Sequence, residues 1–119
     1  MALEDVQAQA SNAEQVHWPD WRAVVRPSST GPQVTLLHQS ETLKVVLVGL
    51  ASGQALPPHA GAGASFHILD GEGEVLVGDT LVPVAAGSTV VVADGLQRSV
   101  RATTSLSFLG NLGDPASEE

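Results

Sequence analysis

Cysteine and tyrosine are both absent from this chain of 119 residues, and its only aromatic side chains are Trp18, Trp21, Phe66 and Phe108. Without cysteine there is no disulfide framework and no thiolate to act as nucleophile or metal ligand. The lack of disulfides fits a reducing compartment, so a cytoplasmic protein is expected. Cations are scarce as well: Arg22, Arg26, Lys44, Arg98 and Arg101 stand against thirteen Asp and Glu, a formal charge of -8. Phosphate backbones and anionic bilayers are bound through clustered basic faces, so neither nucleic acid nor a membrane surface is an expected partner. No apolar run approaches the roughly 20 residues of a membrane-spanning helix. The opening ALEDVQAQA is acidic and polar, without the basic and then apolar pattern of a secretory leader.

What is present favours β structure. Hydrophobic residues make up 43% of the chain and charged ones 15%, which suits one globular domain with a core of Val, Leu and Ala. From residue 53 to 95 the sequence GQALPPHAGAGASFHILDGEGEVLVGDTLVPVAAGSTVVVADG alternates short apolar runs with Gly and Pro at close spacing. That pattern predicts successive short strands in a sandwich or barrel. The strands expected are LPPHA, SFHILDG, GEVLVGD, TLVPV, STVVVAD, RSVRAT and LSFLGNL. Gly78 and Asp79 supply the turn of one hairpin, and Pro83 belongs at a strand end or sheet edge because it has no N–H for a central ladder. Upstream, VTLLHQ and TLKVVLVGL read as a hairpin around Ser40 and Glu41, its second strand buried on both faces and His38 exposed beside the turn.

The first 22 residues read as an extension. Residues 2–16 are rich in Ala, Gln and Glu and read as a short helix or an extended arm, followed by the HWPDW turn. Trp18 and Trp21, the largest apolar side chains, are expected to plug a barrel end or to pack across a subunit interface. Residues 23–26 read as a short first strand. The domain proper is then 23–112, and 113–119 is an acidic, disordered tail. GAGAS precedes a strand rather than a helix, so its glycines are not read as a phosphate-binding loop.

The order and spacing of these elements resemble the cupin superfamily, small jelly-roll barrels (double-stranded β-helices) marked by two motifs. The first motif is Gly, five residues, His-x-His, three or four residues, Glu, six residues, Gly; here Gly53 is followed at that distance by His59, and Gly73 closes it. The second is Gly, five residues, Pro-x-Gly, two residues, His, three residues, Asn; here Gly87 opens it and Gly95 falls on its second glycine. The resemblance covers residues 33–110 and implies an all-β jelly-roll barrel.

In metal-binding cupins the two His and the Glu of the first motif and the His of the second hold one divalent metal. The resemblance places those roles at His59, at Gly61, at one of Ala64, Ser65 and Phe66, and at Arg98. Only His59 is a metal ligand by type, and a permanent cation at Arg98 repels a metal ion. The expectation is therefore that no metal is held. If a divalent transition metal is held, its ligands are His59 and His67, which requires Ser65 to face inward and His67 with it. If Phe66 faces inward, His67 points out of the barrel.

An inward guanidinium without a metal needs a partner. Either a bound carboxylate-like or phosphate-like anion supplies it, with Arg98 as anchor and His59 as donor or proton carrier, or Arg98 lies at the rim and pairs with Asp94 or Asp70. The candidate ligand-binding residues are thus His59, Arg98, Phe66 and His67, with His59 the candidate acid–base group. Asp70, Glu72 and Glu74 look like a carboxylate set, yet beside Gly71 and Gly73 they read as a solvated turn. Ser65 lacks the oriented third member that a nucleophile site needs.

The favoured functional reading is a barrel without the usual metal that binds a small polar or anionic molecule in a sensing or accessory role. Two alternatives stand beside it. One is an enzyme, either a metalloenzyme on His59 and His67 or a metal-free isomerase or lyase using His59. The other is a structural dimerisation module. On the favoured reading too the protein is expected to be a homodimer, as the resemblance to small cupins implies, with the apolar run at 45–50 as the expected surface.

Overall fold

The computed structural model describes residues 15–113. Among the described residues nine antiparallel strands form two sheets. β1 (Gln33–Gln39), β2 (Lys44–Leu50), β4 (Ala64–Asp70), β7 (Thr89–Val92) and β9 (Leu106–Leu112) make a five-stranded sheet in the order β1-β2-β9-β4-β7. β3 (His59–Ala60), β5 (Glu72–Val77), β6 (Thr80–Ala85) and β8 (Gln97–Ala102) make a four-stranded sheet in the order β3-β8-β5-β6. The two sheets face each other as a jelly-roll barrel.

Strict alternation sends one set of side chains between the sheets. Along β4 these are Ala64, Phe66 and Ile68, and along β8 they are Arg98, Val100 and Ala102, all buried. Phe66 and Phe108 meet edge to face in the middle, their ring centroids 5.4 Å apart at 79°. Around them Val46, Val48 and Leu50 of β2 and Val75 of β5 are fully buried, so a core poor in aromatics is filled by branched aliphatic side chains.

The hairpins follow the sequence. β1 pairs with β2 with a bulge between Leu36 and His38, and His38 is exposed beside it. Gly78 makes the β5–β6 turn at φ +60°, and Pro83 sits on β6, the edge strand of its sheet. Of LPPHA only His59 and Ala60 enter a ladder, because Pro57 and Pro58 have no N–H to donate.

The segment before β1 departs from expectation. Residues 23–26 are not a strand: Trp21–Ala23 is a 3-10 turn, with Asp20 capping it by accepting from the Arg22 N–H and the Val24 N–H donating to the Trp21 carbonyl. Asp20, directly after Pro19, offers the cap that starts the turn. This segment lies on the outer face of the five-stranded sheet. Trp18, Trp21 and Val25 cover Leu37 and Leu47 there, so the two Trp plug no barrel end. Passage over β2 requires Gly49, since a Cβ there would come within 2.9 Å of Arg26 and Pro27 backbone.

Residues 45–50 consequently do not form an open surface. Val46, Val48 and Leu50 face the core, and Leu47 lies under the Trp segment. A homodimer would have to use another surface. The helix or arm read at the start of the chain falls outside the described residues up to residue 14, and Gln15 and Val16 are not helical. All of the acidic tail after Gly113 falls outside them as well.

Candidate functional site

β3 brings His59 into register with Arg98 of β8, so the two residues placed at ligand positions by motif spacing are direct cross-strand partners. Arg98 is 4% exposed. Its Nε donates to the Leu96 carbonyl at 2.9 Å and its Nη2 to the Gly61 carbonyl at 3.2 Å. Nη1 is buried and has no hydrogen-bond partner. The rim alternative is excluded by this geometry: Arg98 pairs with neither Asp94 nor Asp70. Asp94 instead accepts from the Gly63 N–H, while Asp70 is exposed on the far side of the sheet beside Trp21 and Arg26.

His59 and Arg98 line a narrow cavity of about 20 Å3. The remaining walls are apolar, made by Leu56, Pro57, Phe66, Val100 and Leu112. Its interior holds about one or two water-sized groups. Ser99 also borders it, but its hydroxyl donates to the Leu56 carbonyl at 2.9 Å.

The register of β4 decides between the two arrangements open from sequence. Phe66 is fully buried and pairs in register with Gly110 and Val90, placing it in the barrel interior. His67 is therefore on the opposite face, where its Nδ1 lies 2.8 Å from the Thr89 hydroxyl. Ser65 shares that outer face and its hydroxyl meets the Asn111 amide at 3.2 Å. The structure thus joins His59, Arg98 and Phe66 and separates His67 from them, so a site built on His59 and His67 does not form. Glu72 and Asp70 flank the tight turn at Gly71 and are exposed, as expected for a solvated turn.

Leu56, Val100 and Leu112 were not singled out from sequence as site residues. The signal for Val100 was available, since period 2 from an inward Arg98 turns it inward. Nothing local marks Leu56 or Leu112, which reach the cavity through sheet packing.

No protein-family model matches the chain, and no curated protein does. Solved structures do match. An RmlC-like cupin protein from Desulfovibrio desulfuricans is 30% identical, with a TM-score of 0.68, over 76% of this chain and 90% of that one. The chain is a cupin. A conserved protein of unknown function from Streptococcus pyogenes superposes with a TM-score of 0.79 at 24% identity, over 87% of this chain and 92% of that one. A predicted oxalate decarboxylase from Thermotoga maritima superposes with a TM-score of 0.64 at 22% identity, over 67% and 77%. These last two likenesses are of fold.

Within this cupin the positions that hold metal in metal-binding relatives carry His59, Gly61, Phe66 and Arg98, which together provide one metal donor. Among the described residues no three His, Cys, Asp or Glu side chains cluster. The space beside Gly61 is instead taken by the Arg98 guanidinium, held by the Gly61 carbonyl. The residues present do not fit a divalent ion, which needs three or four converging donors and no cation among them.

Proposed function

We propose that this cupin is a binding barrel for a small anion, with Arg98 as its anchor and His59 as a second nitrogen on the facing strand, serving a sensing or accessory role. The observation that carries the reading is the Arg98 guanidinium, which belongs to a largely apolar cavity wall and whose Nη1 is buried without an acceptor. A buried cation left partly unpaired is costly, and an anion removes that cost while gaining charge-assisted hydrogen bonds. Among the described residues no carboxylate offers this compensation from within the chain.

The test is thermal unfolding and calorimetric titration with acetate and formate. Stabilisation that grows with ligand concentration is expected for the wild type and is absent in Arg98→Met. Equal stabilisation of both proteins removes Arg98 from the role. Metal content of protein purified without chelator or affinity tag is expected to stay far below one ion per chain; a stoichiometric transition metal would instead favour a metalloenzyme.

A further inference from the structure

We propose that the outer face of the four-stranded sheet docks a second copy of this chain about a two-fold axis, Leu81 of each copy packing into the other's groove and Glu74 of each pairing with the partner's Arg101. This goes beyond the anion-binding reading and does not depend on it. It follows from the order of the strands and from what each turns outward.

An antiparallel sheet with one face in solvent ordinarily turns polar side chains outward. β6 does not. Val82 and Val84 pack on the core, so alternation turns Leu81, Pro83 and Ala85 outward, and all three are exposed. Leu81, at 59% exposure, stands in register with Leu76 of β5. With Leu56 and Pro57 the two leucines line an open groove of about 540 Å3. A single exposed apolar side chain is ordinary on a protein surface. Val91 is of that kind: it is more exposed than Leu81, but Ser65 stands opposite it, and Thr89 and His67 share its face. The outer face of the five-stranded sheet already lies under Trp18 and Trp21.

Charge and symmetry set the occupant. The charged side chains of the groove are Glu74 and Arg101, so it is neutral on a chain whose formal charge is -8. A basic partner gains nothing from such a face, while two copies of an acidic chain meet least repulsion there. Glu74 and Arg101 oppose each other across β5 and β8. No ion pair closes between them; the one formed among the described residues joins Arg22 to Asp20. The sheet order β3-β8-β5-β6 is balanced about the boundary between β8 and β5. An axis lying along that boundary, in the plane of contact, brings Glu74 of each copy over the partner's Arg101. It also lays Leu81, from β6 on one flank, over the partner's Pro57 on the other flank. There the neighbouring Leu56 is held beside β8 by the Val100 carbonyl and the Ser99 hydroxyl. Each contact is made twice, which closes the assembly at two copies.

Sedimentation equilibrium of the full chain over a micromolar dilution series tests this, with circular dichroism to establish that each variant is folded. The wild type is expected to be a dimer. Leu81→Asp is expected to weaken dimerisation by at least about tenfold, since symmetry counts each buried leucine twice. Should that variant not fold, Pro57→Asp, at an exposed position outside the ladders, carries the same expectation. Glu74→Arg and Arg101→Glu each set like charges together and are expected to weaken the dimer, and the two combined are expected to restore it. Val91→Asp is expected to leave it unchanged. A wild type that is monomeric throughout the series, or that forms a larger assembly, overturns the proposal. So does a dimer that keeps its strength in Leu81→Asp or loses it in Val91→Asp. A combined exchange that associates no better than its single variants overturns the reciprocal pairing and the axis it defines.

Discussion

Arg98 stands directly opposite His59 in the β3–β8 ladder, and the ladder aims both side chains into the same cavity. One is buried with a donor to spare; the other is half-buried at its edge. This pairing puts a fixed cation where related barrels gather metal ligands, and the consequences are measurable.

Replacing Arg98 with Met removes a buried charge along with its two bonds to backbone carbonyls. The Gly61 carbonyl keeps the Gly95 N–H as a donor. Without added anion, the unfolding free energy in urea is expected to change by less than ~2 kcal/mol, in either direction, because apolar replacement of a buried ion relieves its desolvation. A loss well above that would mean that Arg98 is chiefly structural.

His59 and His67 are expected to separate cleanly. His59→Ala weakens acetate binding severalfold. His67→Ala, on the outer face, removes one hydrogen bond to Thr89 worth about 1 kcal/mol or less and leaves binding unchanged. Parallel titrations of the two variants decide it; an effect of His67 on binding would contradict the register of β4.

Phe66 serves the core and the cavity wall together. Phe66→Ala is expected to cost about 3–5 kcal/mol in chemical denaturation. A double-mutant cycle with Phe108 is expected to show about 0.5–1.5 kcal/mol of coupling from the edge-to-face pair.

Two glycines of similar backbone conformation are expected to behave differently. Gly71 and Gly53 have φ +87° and +84°. A Cβ at Gly71 would overlap the Ser105 carbonyl, whereas at Gly53 it meets nothing within 4 Å. Gly53→Ala is expected to cost about 1–2 kcal/mol from backbone strain alone, and Gly71→Ala distinctly more, read as the difference between their melting temperatures.

Removing the aromatic cover from the outer sheet face should expose Leu37 and Leu47. Trp18→Ala is expected to destabilise by about 1–3 kcal/mol. Sedimentation should show concentration-dependent association as the uncovered apolar patch finds another surface. A monodisperse variant of unchanged stability would show that Trp18 contributes no cover.

Much of this molecule was legible in advance because its information is local. Gly78 in a tight turn, Pro83 at an edge and apolar alternation along 64–70 each have one inexpensive backbone solution, so the strands and the family motif could be read directly. The site was half legible. Spacing put His59 and Arg98 at ligand positions, but whether Arg98 turned inward depended on a partner strand 39 residues earlier. The 3-10 turn at Trp21 was missed because Val24 and Val25 carry β propensity, while an Asp20 cap and packing on Leu47 override it.

By itself the sequence determined the all-β barrel, the presence of a glycine at position 61 and an arginine at position 98, and the scarcity of cations. Those depend on residue type and period alone. Tertiary structure decided that Phe66 points in and His67 out, that residues 45–50 are covered within the chain, and that Arg98 spends two donors on the backbone and keeps Nη1 in reserve. The reason is physical: a one-residue change of register reverses every side chain of a strand, and only the pairing of β4 with β7 and β9 fixes which face is buried.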